Sequence, residues 1–143
     1  IDILVENMGR VNFTPIMEEQ RKGIDGGIQI NGCLHFGWTI YPLPLDDLTK
    51  IDFTHSARAG LPGFYEFQFE IRETADTFLD MSGWGKGAAF VNDFNIGRFW
   101  EIGPQKRLYI PAPLLKKGKN TIIVFETEGK VSDSIKLCDE PWI

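Results

Sequence analysis

An all-β sandwich or barrel is predicted, on three observations. Residues Gly63 to Ile71 alternate strictly, with Tyr65, Phe67, Phe69 and Ile71 on one face and Glu66, Gln68 and Glu70 on the other. That is the period of a half-buried strand. Similar short runs recur along the chain, punctuated by Gly, Pro and Asn at roughly eight- to twelve-residue spacing, the rhythm of sandwiches and barrels. Helix signals are sparse: Pro113-Leu114-Leu115-Lys116-Lys117-Gly118 fits a single turn, with Pro tolerated at its start and Gly at its end.

The elements follow in order. Ile1, Ile3 and Val5 open the chain in alternation, so Ile3 to Asn7 is the first expected strand. Thr14 to Gly27 is polar and Gly-rich, ending in Lys22-Gly23-Ile24-Asp25-Gly26-Gly27, and marks a boundary beyond which the strands belong to a different sheet. Further strands are expected at Ile28 to Asn31, Trp38 to Tyr41, Thr77 to Met81, Gly87 to Val91, Lys106 to Ile110 and Ser134 to Leu137. Thr121 to Thr127 is apolar on both faces, Ile122 and Val124 against Ile123 and Phe125, as expected of a strand covered on both sides.

Composition bounds the function classes. A chain of 143 residues, 43% hydrophobic and 13% aromatic, with eleven Phe and four Trp, is built to pack a core rather than to stay disordered. Folding at this length buries roughly 68–70% of the surface of the extended chain. Fifteen Lys and Arg against twenty Asp and Glu give a formal net charge of −5, the wrong sign for a nucleic-acid partner. No apolar run approaches the ~20 residues of a membrane helix, so a soluble chain with no membrane partner is expected. The compartment stays open. The chain starts without Met and inside an apolar pattern, which predicts that it derives from a longer protein. Cys33 and Cys138 are far apart and lack CxxC spacing, so they read as two thiols or one disulfide rather than a zinc or redox site.

Chemistry-bearing clusters are weak. Glycosidases place two carboxyl groups about a scissile bond, yet Glu66 and Glu70 are spread along a solvated strand face and Glu18-Glu19 sits in a polar loop. His35 and His55 have no partner at ligand spacing, and no DxDxD-like cluster suggests calcium, so no metal and no cofactor is expected. Gly83-Trp84-Gly85-Lys86-Gly87 lacks the order of a phosphate-binding loop and reads as a tight turn between strands. Asn12-Phe13-Thr14 is a glycosylation sequon of low specificity. Trp38, Trp84, Phe99, Trp100 and Tyr109 fit a packed sandwich core, or stack on sugar rings if exposed.

A longer pattern is more specific. Asp76-Thr77-Phe78-Leu79-Asp80-Met81-Ser82-Gly83-Trp84-Gly85-Lys86-Gly87 runs on through Val91-Asn92-Asp93-Phe94-Asn95-Ile96-Gly97-Arg98-Phe99-Trp100. Gly103-Pro104-Gln105, Leu108-Tyr109-Ile110-Pro111, Asn120-Thr121-Ile122 and Phe125-Glu126 continue it. Together with the opening Leu4 to Asn12 and Trp38 to Leu43, this closely resembles the C-terminal β-domain region of glycoside hydrolase family 35 β-galactosidases. The weakest stretches are Thr14 to Gly27 and Leu45 to Gly60.

The resemblance implies a jelly-roll β-sandwich of the galactose-binding-domain-like type. It assigns residues 1–15 to a strand of the preceding β-domain and 16–143 to the C-terminal jelly roll. It also implies an upstream (β/α)8 barrel holding both catalytic Glu residues of a retaining hydrolase, so no catalytic residue is expected in this chain. Its partners would then be that barrel, the preceding β-domain and, through the parent enzyme, a galactoside. Family members commonly carry Tyr after Arg-Val-Asn, reaching toward the sugar, and Phe13 stands there as a substrate neighbour without the hydroxyl. Asp93 replaces a usual Gly and must take a positive φ if Asn92-Asp93 forms a hairpin turn. The expected role is to brace the barrel and shape its mouth. The alternative is a module that itself binds galactosides, with Trp84 and Trp100 as the stacking rings.

Overall fold

The alternating stretch Gly63–Ile71 is a nine-residue strand in the computed structural model, which describes residues 1–9, 11–15 and 17–142. The described residues contain nine strands and two 3-10 turns, with no α-helix. The chain divides into two units, Ile1–Leu43 and Pro44–Ile143.

The first unit is mostly irregular. Its strands β1 (Ile28–Ile30) and β2 (Cys33–His35) pair antiparallel around Asn31-Gly32, both at positive φ. Such a two-residue turn matches the strand twist. A 3-10 turn covers Met17–Glu19. Two expected strands are corrected: neither Ile3 to Asn7 nor Trp38 to Tyr41 forms one. Alternation alone does not make a strand without a hydrogen-bonded neighbour, and in the described residues of this unit only β1 and β2 pair.

The second unit is a two-sheet sandwich. Its strands are β3 (Gly63–Ile71), β4 (Thr77–Asp80), β5 (Lys86–Val91), β6 (Phe94–Trp100), β7 (Arg107–Ile110), β8 (Gly118–Glu126) and β9 (Lys136–Cys138). They form antiparallel sheets of order β3-β8-β5-β6 and β7-β4-β9. The chain passes from one sheet to the other between β3 and β4, β4 and β5, β6 and β7, β7 and β8, and β8 and β9. This repeated exchange of sheets is how a jelly roll closes on itself.

Alternation dictates the core. Tyr65, Phe67, Phe69 and Ile71 of β3, Ala89 and Val91 of β5, and Ile122 and Val124 of β8 meet Leu79, Leu108, Ile110 and Leu137 of the smaller sheet, with Trp84 among them. The opposite face of the larger sheet is covered as well. Phe90, Ile123, Phe64 and Ala88 pack with Leu45, Leu48, Ile51 and Phe53. Strand β8 is therefore central and apolar on both sides.

Two turns show why particular residues stand where they do. Asn92 and Asp93 close the β5–β6 hairpin at φ 47 and φ 71, so Asp93 does take the positive φ that its position demands. Asp tolerates this conformation because its short polar side chain bonds locally. A short turn does form near the expected Pro113 to Gly118, but it comes earlier, as a 3-10 element at Ala112–Leu114 with Leu114 and Leu115 amides donating to the Pro111 and Ala112 carbonyls, and Gly118 opens β8 instead of ending the turn. No described helix is long and apolar enough to cross a membrane.

Candidate functional site

The motif-rich turn between β4 and β5 is built around a buried carboxylate. Glu126, at the end of β8, is 0% exposed. Its Oε1 accepts from the amides of Gly85 (3.2 Å) and Lys86 (3.3 Å), and its Oε2 from those of Glu128 (3.0 Å) and Lys130 (2.9 Å). Four backbone donors thus engage both oxygens. Gly85 is needed because a Cβ there would lie 2.6 Å from Glu126 Oε1, and Gly87 because a Cβ would lie 1.8 Å from the Phe125 carbonyl oxygen. The same carboxylate acts on Tyr65, whose phenol is pushed above its ordinary value by burial first and by Glu126 second.

Trp84 lies within this turn and is 2% exposed, edge-on to Tyr65 (4.9 Å between ring centroids) and Phe67 (6.0 Å). Its ring is enclosed by protein and offers no face to a sugar. Trp100, at the end of β6, is half-buried with the Lys86 ammonium 4.8 Å from its ring centre. Phe99 is buried, while Tyr109 and Trp38 keep part of their rings in solvent.

Other polar motif residues also serve the fold. Asp76 accepts from the Ala112 amide (2.8 Å) first and the Tyr109 hydroxyl (2.8 Å) second, and these hold its carboxyl below the usual range. Asn92 Nδ2 donates to Leu114 O (2.7 Å) and Asn120 Oδ1 (2.9 Å), while Asn120 Nδ2 donates to Lys116 O (2.7 Å). The two asparagines thus stitch the β5–β6 hairpin to the loop before β8. Among the described residues no buried side-chain nitrogen or oxygen lacks a partner.

Phe13 lies in the first unit and is 88% exposed. Nearby, Gln20 Oε1 accepts from the Val11 amide (2.9 Å), and Lys22 donates to the Met8 and Gly9 carbonyls, so polar contacts shape the loop while the ring projects into solvent. Arg10, which precedes it in the motif, lies outside the described residues.

A cleft of about 390 Å3 that no motif points to lies beside the smaller sheet, lined by Asp80, Arg107, Ser132, Ser134, Lys136 and Trp142 among others. Arg107 Nε donates to Asp80 Oδ2 (3.3 Å). Burial pushes the Asp80 carboxyl up, but hydrogen bonds from Ser82, the Arg107 charge and the Cys138 thiol outweigh it and leave the group below its ordinary value. Cross-strand register brings Asp80, Arg107 and Lys136 together, and the segments before and after β9 add Ser132, Ser134 and Trp142.

No group of three or more His, Cys, Asp and Glu able to hold a metal occurs among the described residues. Glu66 and Glu70 stand on the solvent face of β3, and His35 and His55 lie in different units. Cys33 and Cys138 are free thiols.

Comparison with known proteins gives these features a family. Residues 1–44 match the model for the first all-β domain of β-galactosidase, and residues 62–120 match that for the β-galactosidase galactose-binding domain. The chain belongs to the β-galactosidase family. Its second unit is the galactose-binding-domain-like jelly roll of glycoside hydrolase family 35, all-β and antiparallel as the sequence predicts. Among similar relatives, Beta-galactosidase 17 of Arabidopsis thaliana is 43% identical across 89% of this chain and 21% of its own length. Beta-galactosidase 8 of Oryza sativa subsp. japonica is 39% identical across 97% of this chain and 26% of its own. Beta-galactosidase-1-like protein 2 of Homo sapiens is 42% identical across 99% and 23%. The chain therefore spans about a fifth to a quarter of the β-galactosidases it matches, which carry other domains in the same polypeptide.

Proposed function

We propose that this chain supplies accessory, non-catalytic β-domains to a β-galactosidase, bracing the catalytic barrel and shaping its mouth. The observation that carries this is its fractional coverage: nearly the whole chain aligns with β-galactosidases, yet spans only 21–26% of the first two relatives. The carboxylates here also have other tasks, since Glu126 is enclosed by backbone amides and Glu66 and Glu70 face solvent along one strand. The barrel upstream would provide the acid and the nucleophile for terminal β-linked galactose.

Within that scheme the first unit, Ile1–Leu43, belongs to the preceding β-domain, extending the strand assigned to residues 1–15. Its match to a first all-β domain over 1–44 and its separation from Pro44–Ile143 support this division. Phe13 borders the sugar pocket, making apolar contact without the hydrogen bond that a Tyr would add. Its exposed ring in this chain suits a side chain that finishes its contacts against another domain.

The test has two arms. The purified chain alone should not hydrolyse a chromogenic β-galactoside, and turnover abolished by mutating one of its own Glu residues would overturn the accessory role. In the full-length parent, Phe13→Ala should raise KM or lower kcat/KM by about tenfold with little change in Tm, and Phe13→Tyr should be tolerated. A melted Phe13→Ala enzyme whose folded fraction has unaltered kinetics would make the residue ordinary packing.

A further inference from the structure

The cleft beside the smaller sheet has the parts of a binding site, and its chemistry can be read from the strand register. Leu79, Leu108 and Leu137 point into the core, so their neighbours Asp80, Arg107 and Lys136 occupy the opposite face. Pairing sets Asp80 directly between Arg107 and Lys136.

Arg107 is held on several sides: its Nε donates to Asp80, and its Nη1 donates to the Glu140 (2.8 Å) and Pro141 (3.5 Å) carbonyls. These bonds fix the segment that carries Trp142. The Trp142 ring lies 5.5 Å from the Arg107 guanidinium and 5.3 Å from the Lys106 ammonium, and is still 50% exposed. Ser132 and Ser134 line the same void, and the Ser132 hydroxyl donates to the Ser134 carbonyl (2.9 Å). Its volume of about 390 Å3 falls within the ~300–1,000 Å3 usual for small-ligand sites.

Charge balance then selects the ligand. Asp80 is answered by Arg107, whereas the Lys136 ammonium has no ionic or hydrogen-bond partner among the described residues. The spare charge is positive. An aromatic ring beside hydroxyls suits a polyol with an apolar face, and a free ammonium suits an anion. We propose that this cleft binds a sugar ring carrying a carboxylate, the ring against Trp142 and the carboxylate on Lys136. It stands apart from the accessory role above, and its absence would leave the Phe13 kinetics unaffected.

Methyl β-galacturonide and methyl β-galactoside, titrated into the 143-residue chain and followed by amide chemical shifts, test this. The uronide should bind with a Kd of about 1 mM and the neutral galactoside about tenfold more weakly. Lys136→Glu and Trp142→Ala, both at exposed positions, should each weaken uronide binding at least about tenfold at unchanged Tm, while Trp142→Phe retains most of it. No shift with either sugar, equal affinity for the two, or affinity unchanged in Lys136→Glu would overturn the site. Acetate binding as tightly as the uronide would remove the ring from the recognition and overturn it equally.

Discussion

At the scale of single residues, the largest effects belong to side chains whose surroundings cannot adapt. Trp84 is enclosed by Tyr65 and Phe67 in the centre of the sandwich, and removing so large a ring leaves a cavity as well as losing its transfer energy. Trp84→Ala should cost about 3–5 kcal/mol, read as a fall in the urea midpoint without a change in slope. Asp80 makes a different prediction. Its folded pKa lies below the ordinary 3.8, so the unfolded chain binds more protons between the two values. Its contribution to stability is therefore complete above the unfolded pKa and is lost as pH falls through the folded one. Urea unfolding between pH 2 and pH 7 should show a shallower acid limb in Asp80→Asn than in the parent chain. Part of the limb should remain, because Asp47, Asp52 and Asp76 are lowered as well.

At the scale of elements, the Glu126 carboxylate joins the end of β8 to the start of β5, and both its oxygens are used. Glu126→Gln replaces one acceptor with an amide that must face backbone donors, leaving two N–H groups unanswered against a buried side chain. It should destabilise by more than about 2 kcal/mol and speed amide exchange first at Gly85 and Lys86 or at Glu128 and Lys130. Strands β3 and β8 were legible in sequence because their apolar pattern matches what they bury: one face along most of β3, where only Phe64 packs on the other, and two for β8. Strand β6 was not, because Gly97 and a register shift interrupt its alternation, Phe90 pairing with Asn95 but Ala89 with Gly97. Strand β2 was missed because it is three residues long and exposed throughout. Strand β9 begins at Lys136, two residues later than the expected Ser134, where pairing with β4 sets its start. The turn at Trp84 could be read from its glycines. The Asp80–Arg107–Trp142 cleft could not, since its residues are scattered in sequence, although a charged Asp80 closing the apolar run Phe78-Leu79 was a usable signal.

At the scale of the whole molecule, the two units should differ sharply in stability. Pro44–Ile143 carries both apolar clusters, every buried strand and the fully bonded Glu126, whereas the described residues of Ile1–Leu43 include two three-residue strands and no buried side chain. Segments of about 40 residues rarely sustain a core without staples, and Cys33 is a free thiol, so no disulfide holds this one. Ile1, Phe13, Phe36, Ile40 and Tyr41 are all strongly exposed, more apolar surface than a short segment usually leaves to solvent. Limited proteolysis of the chain should therefore cut first within residues 1–43 and leave a resistant fragment starting near Pro44. That fragment should retain β-type circular dichroism and a single cooperative unfolding transition. The intact chain should also associate with rising concentration in sedimentation, and the trimmed fragment should not. If the first unit resists protease as well as the second, its apolar side chains are stabilised within this chain and need no further domain to cover them. The division at Leu43 and Pro44 would then mark a boundary in packing but not in stability.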